Sequence, residues 1–262
     1  MTPRKPCLFC DNPSDGKSKE DVLPVWVQEK IKGKQPLVVN GFSGERPIVQ
    51  QAVKPSVKTG CVCSNCNHGW MSELEGEARP ILGPLMEDIH LMLDADRKLI
   101  IARWAVKTAM TISSFNRKER DPFYTREECI RFRESSTFPR HTKVWLGRYD
   151  GIADGGMFGI DGWDENPGHP EVTHFYITTI LFKRVVIQVL SIHVWDYVVG
   201  STLRGPLYDG PWEHSLLDFS TNANLFWPPP LSFSDSGDLS LMRLVYRFNV
   251  HARPFNPLRP DG

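Results

Sequence analysis

Apolar residues change period along this chain. Before residue 70 they come in short runs: Leu37-Val38-Val39 and Pro47-Ile48-Val49 read as strands separated by a turn over 41–44. From Trp70 the spacing becomes helical, with Trp70, Leu74, Ala78, Ile81/Leu82, Leu85 and Ile89 on one side. Pro80 and Pro84 are expected to divide or kink that stretch. A helix is predicted over 99–115, with Leu99, Ala102, Val106, Ala109/Met110 and Ser113 as its apolar face. Trp104 and Lys107 lie off the middle of that face. A shorter helix is predicted over 125–134, where Thr125 followed by Glu128 is a capping-box pattern. Past Pro139 the texture is that of strands, over 141–149, 157–160, 173–182, 185–194 and 244–250. The pattern predicts an α+β protein in three parts: a small module over 1–75, a helical segment over 76–138 and a β-rich domain over 139–262.

Composition adds two constraints. In 262 residues, 40% hydrophobic with 11% aromatic supplies enough apolar surface for a core. The longest apolar stretch, 175–199, is interrupted by Lys183-Arg184, His193 and Asp196, so no membrane span is expected. The N-terminal residues lack the apolar region of a signal peptide, and a cytoplasmic protein is expected. Net charge is zero but segregated: +4 over 1–70, −6 over 71–96, +8 over 97–149, −9 over 150–242 and +3 over the last twenty residues. Either the +8 segment offers a phosphate-binding surface, carried by Arg97, Lys98, Arg103, Lys107, Arg117, Lys118 and Arg120, or it packs beside the −9 segment.

Cysteine spacing carries the chemistry. Cys7-x-x-Cys10 and Cys63-x-x-Cys66 are two metal-ligand knuckles, and four thiolates from such a pair surround one Zn²⁺ tetrahedrally. A saturated site of this kind has no open position, so the zinc is expected to be structural. Cys61 forms a CxC with Cys63, and either replaces one ligand or sits inert beside the site. Cys129, in the predicted helix over 125–134, is expected to be a buried core residue.

These knuckles and the residues around them resemble the HNH endonuclease superfamily, in its ββα-metal variants held by two CxxC pairs. The matching segments are Cys7-Leu8-Phe9-Cys10, then Ser18-Lys19-Glu20-Asp21-Val22-Leu23-Pro24-Val25-Trp26. The third is Cys63-Ser64-Asn65-Cys66-Asn67-His68-Gly69-Trp70-Met71-Ser72-Glu73-Leu74-Glu75. The resemblance covers roughly residues 5–80 and looks closest to HNH-like proteins of bacteria and phages. It implies a treble-clef module, with Glu20 and Asn67 placed to bind a catalytic Mg²⁺ or Mn²⁺. Asp21 stands where the family has its general-base histidine.

Three readings of this departure are open. Glu20 and Asp21 bind the ion while His68 supplies the base; the module keeps its fold and has lost cleavage; or Glu20-Asp21 is an acidic pair at a helix start. Elsewhere, His193 and Asp196 form either a catalytic pair or a satisfied hydrogen-bonding pair. Residues 161–166 read as an acidic turn without the ligand rhythm of an EF-hand. The functional expectation is therefore a protein that binds or processes DNA or another nucleic acid, with metal-dependent phosphodiester cleavage as its fullest form. The alternative is an inactive zinc-stabilised module that serves structure or a protein partner.

Overall fold

The computed structural model describes residues 6–14, 20–31, 37–43, 46–52, 58–114, 122–165, 172–194 and 216–237. Strand β1 (Glu20–Asp21) and helix α1 (Val25–Lys30) come first, then the hairpin β2 (Leu37–Ser43) and β3 (Arg46–Ala52), then β4 (Lys58–Thr59). A helical run follows: α2 (Ser64–Cys66), a π-type turn over Asn67–Met71, and α3 (Ser72–Met86). Strand β5 (Leu91–Leu93) leads into α4 (Ala95–Ser113) and then α5 (Arg126–Ser135). The remainder is β6 (Lys143–Tyr149), β7 (Gly155–Glu165), β8 (Val172–Phe182), β9 (Val185–Val194), β10 (Leu216–Asp218), β11 (Leu225–Trp227) and β12 (Ser232–Phe233). The architecture is mixed α+β. No helix among the described residues is long and apolar enough to cross a membrane.

An eight-stranded sheet dominates, in the order β10-β6-β9-β8-β7-β2-β3, with β12 also alongside β6. Its neighbours are antiparallel except β2 with β7 and β12 with β6. The apolar runs read as strands become β8 and β9, joined by a tight turn in which Lys183 takes φ 50°. The hairpin β2–β3 belongs to the 1–75 stretch in sequence, yet its backbone pairs with β7 at the far edge of the sheet. The antiparallel pair β1–β4 closes the base of this excursion, so the chain can leave the cysteines and return to them. The acidic stretch expected to turn is strand through residue 165, because β8 pairs with β7 over its whole length. The strand expected over 244–250 lies outside the described residues.

One continuous core joins these parts. It runs from Leu8, Phe9 and Val62 beside the cysteines, through Met71, Leu74 and Trp104, to Ile180, Ile187 and Trp227. Helix α4 lies against α3 and also against β7 and β9. A helix so enclosed must bury its polar side as well, and its expected face is revised accordingly. Leu99 is 48% exposed, whereas Trp104, Lys107 and Thr108 are buried. Its hydroxyls bond to the helix's own carbonyls: Thr108 to Trp104 at 2.8 Å and Thr111 to Lys107 at 2.9 Å.

Helix ends follow local chemistry. Asp94 caps α4 by accepting from the Arg97 amide at 2.9 Å. The predicted capping box of α5 is present: the Glu128 amide donates to Thr125 Oγ1 at 3.2 Å, and the Thr125 amide to Glu128 Oε2 at 2.9 Å. Pro80 and Pro84 lie within α3 without dividing it. The break falls earlier, at Gly69, whose φ −93° and ψ −118° leave the helical path.

Candidate metal centre

Two short elements bring the four paired cysteines together. The first knuckle is a closed turn in which the Cys7 amide donates to the Asn12 carbonyl at 2.9 Å. The Leu8 amide donates to the Cys61 carbonyl at 2.8 Å, which docks that turn on the segment leading to the second knuckle. Cys63 stands at the N-terminus of α2 and Cys66 one turn along, so the helix sets their spacing. The sulfurs of Cys7, Cys10, Cys63 and Cys66 all lie within 4.8 Å of one another, and all four residues are buried. Cys10 Sγ and Cys63 Sγ are 3.5 Å apart.

This donor set fits a tetrahedral metal such as zinc. Four thiolates at Zn–S distances of about 2.3 Å stand about 3.8 Å from one another, close to the spacing here. Backbone donors are already aimed at sulfur. The Phe9 and Cys63 amides reach Cys7 Sγ at 3.4 and 3.3 Å, and the Asn12 amide serves Cys10. Hydrogen bonding from the Cys66 thiol, reinforced by these amides against the opposing effect of burial, pulls Cys7 down to about 4. The same contact with Cys7, together with burial, pushes Cys66 up, and burial raises Cys10. A dication at the centre would favour the thiolate form of all four. With all four positions filled by protein, the centre has no site for substrate.

Cys61 stands outside this set. Its Sγ lies 3.0 Å from Ser114 Oγ at the end of α4, and it is not among the four gathered sulfurs. Cys129 is fully buried in α5, as its helical context predicts.

The residues implied by the family resemblance lie on two elements around the cysteines. Glu20 and Asp21 form β1, paired with Thr59 and Lys58; the Glu20 side chain lies outside the described part, and Asp21 is half-buried. Asn67 and His68 begin the turn after Cys66. The Asn67 amide bonds to the Cys63 carbonyl at 3.0 Å, and His68 is exposed with Nδ1 3.1 Å from the Ser64 carbonyl. Among the described residues, the only gathered group of three or more histidine, cysteine or carboxylate ligands is the cysteine cluster. Trp70 packs edge-on against Phe9 with ring centroids 5.1 Å apart, and Met71 is fully buried, so both act as core.

The basic series on α4 is largely committed to intramolecular contacts. Lys107 meets Glu75 at 2.9 Å, and Arg103 lies 3.9 Å from Glu77. Lys98 holds the carbonyls of Thr221 and Ala223 at 2.6 and 2.8 Å, and Arg97 that of Met92 at 2.6 Å. Arg148 forms a fork with Asp88 and also reaches Asp150 at 3.4 Å. Among the described residues, Glu75, Glu77 and Asp88 of 71–96 pair with the +8 segment, and Asp150 of 150–242 does so as well. Arg117, Lys118 and Arg120 lie outside the described residues.

His193 has a partner that the sequence did not name. Its Nε2 is 2.9 Å from Glu128 Oε1 on α5, and its ring stacks on Phe123 with centroids 4.1 Å apart. Asp196 lies outside the described residues. Glu128 and Arg126 were not singled out as site residues by sequence; the capping-box pattern was the one signal in that turn. Comparison with family models, with curated proteins and with solved structures finds no match for this chain.

Proposed function

We propose that this chain is a nucleic-acid-binding or nucleic-acid-processing protein of HNH ancestry, built on a structural Zn²⁺ centre at Cys7, Cys10, Cys63 and Cys66. The observation that carries the reading is the local assembly: a knuckle, the antiparallel pair β1–β4, and a helical run that starts at the second knuckle. That is the order of parts in a treble-clef, ββα-metal module. A closed tetrathiolate supplies folding energy and no chemistry.

Phosphodiester cleavage then needs a second cation and a base beside the zinc. Glu20 and Asn67 are the proposed ligands of a Mg²⁺ or Mn²⁺ ion, with Asp21 as a further carboxylate. His68 is the proposed base. A carbonyl can only accept, so the contact with Ser64 puts the proton on Nδ1 and leaves the Nε2 lone pair for a water. Asp21 in the family's histidine position is a weaker choice, since a carboxylate is a poorer base than an imidazole at neutral pH.

A second reading, an inactive zinc-stabilised module serving structure or a protein partner, is favoured by the commitment of Lys98 and Lys107 to internal partners. Cleavage of plasmid and single-stranded DNA by zinc-loaded protein, with Mg²⁺ or Mn²⁺ against EDTA, separates the two. Metal-dependent cutting that disappears in Asp21→Ala or His68→Ala protein retaining its zinc supports the nuclease. Absence of both cutting and salt-sensitive DNA binding in the wild type leaves the scaffold.

A further inference from the structure

Helix α5 touches the metal centre from far away in sequence. Arg126 Nη2 donates to the Cys10 carbonyl at 2.9 Å and to Asp11 Oδ1 at 2.6 Å. One guanidinium therefore grips the backbone of a ligand residue and the residue after it. Two residues on, Glu128 spends its two oxygens in different directions: Oε2 closes the capping box on Thr125, and Oε1 meets His193 of β9. Phe123, just before the helix, lies flat on His193 and edge-on to His174 of β8 at 4.7 Å. In the last turn of α5, Phe132 contacts Trp70 with centroids 6.3 Å apart, and Trp70 contacts Phe9, between the first two cysteines, at 5.1 Å. The helix thus reaches both knuckles while its first turn is tied to the sheet.

We propose that the first turn of α5 is a strap by which the sheet holds the zinc centre closed, with Arg126 as the positioning residue for Cys10. The proposal rests on zinc occupying the four cysteines. Zn²⁺ with four thiolates carries two net negative charges, so a permanently charged guanidinium at the Cys10 carbonyl favours the loaded site. Opening the first knuckle to release metal requires the Cys10 backbone to move, and Arg126 must let go for that to happen. Arg126 is itself held by the capped turn, whose geometry depends on Glu128, and Glu128 is held by His193. Groups bonded to metal ligands commonly set metal affinity; here that outer layer extends through one helical turn to a β-strand.

The test is zinc transfer from the full-length loaded protein to excess chromophoric chelator, followed by absorbance, with chemical denaturation of each variant alongside. Arg126→Gln is expected to release zinc about 10- to 100-fold faster, the range typical of lost outer-layer partners. Arg126→Lys, which keeps the charge on a shorter side chain of different shape, should fall between that variant and wild type. Glu128→Gln and His193→Gln should also accelerate release, although both lie far in sequence from the four clustered cysteines. Arg131→Gln removes an exposed pair with Glu127 on the same helix and should release zinc at the wild-type rate. In Co²⁺-loaded protein, Arg126→Gln should shift the thiolate-to-metal absorption. Wild-type release from zinc-replete Arg126→Gln and Arg126→Lys would overturn the strap. So would acceleration in every variant, Arg131→Gln included, in proportion to lost global stability. Wild-type protein that binds no zinc would instead sink the zinc reading on which the strap rests.

Discussion

Lys107 holds its Nζ 2.9 Å from Glu75 Oε1 with 1% of the lysine side chain exposed, whereas 21% of the glutamate side chain remains open to water. The pair bolts α4 to α3, and its two halves stand in unequal surroundings. Removing the carboxylate strands a buried ammonium; removing the ammonium leaves a carboxylate that water can reach. Glu75→Ala is therefore expected to cost about 3 kcal/mol, the scale for breaking a buried ion pair, and Lys107→Met distinctly less. Urea denaturation of both variants checks the order. Equal losses would show that water reaches the lysine as readily as the glutamate.

The ligand set makes a separable prediction about five neighbouring cysteines. Cys63→Ser should lose stoichiometric zinc, because a hydroxyl is a poor substitute for a thiolate in this tetrahedron. Cys61→Ser should keep it, with a modest fall in stability on the order of 1 kcal/mol from the altered contact to Ser114. Metal content by mass spectrometry after dialysis decides. Zinc loss in Cys61→Ser with retention in Cys63→Ser would assign the wrong member of the CxC.

What the chain made legible is what local chemistry controls. The paired cysteines, the Thr125–Glu128 box and the apolar runs of β8 and β9 each declare themselves within a few residues, and each forms. Partners distant in sequence were not legible. A short apolar run identifies β2 as a strand without naming β7 as its neighbour. Nothing near His193 in the sequence points to Glu128, 65 residues distant, which its Nε2 meets. Basic residues at helical spacing look alike whether solvent or a carbonyl receives them, and only the packing of α4 against both α3 and the sheet turns Lys98 and Lys107 inward.

Lys98 tests that inward turn directly. Its ammonium serves the Thr221 and Ala223 carbonyls and so pins the loop between β10 and β11 to the start of α4. Lys98→Met keeps most of the stem and removes both donations. The expected loss is about 2 kcal/mol, the scale for hydrogen bonds from a charged donor. Amide exchange over 219–224 should quicken in parallel. Unchanged exchange there would mean that the loop is held by its own turn, through contacts such as Ser220 N to Asp218 Oδ1 at 2.8 Å.

Glu87 should carry a measurable share of the acid sensitivity. Its Oε1 accepts from Lys30 of α1 and from Lys183 of the β8–β9 turn, each at 2.9 Å, so one carboxylate ties the helix that follows β1 to the large sheet. Donation from Lys30 first, then from Lys183, lowers its pKa below the ordinary glutamate value despite a small opposing effect of burial. A carboxyl that is more acidic folded than unfolded binds fewer protons in the folded state. Its contribution is therefore complete above the unfolded value of about 4.3 and drains away as pH falls through the lower folded value. The groups are well exposed, which limits the effect to on the order of 1 kcal/mol and makes it weaken with added salt. Urea midpoints of wild type and Glu87→Gln, compared from neutral pH downward, should converge below that range and stay apart above it. Because both proteins keep the same four cysteines, acid release of zinc affects the two alike and largely drops out of the difference. A gap that persists unchanged into strong acid would show that Glu87 acts by packing and that its charge contributes nothing.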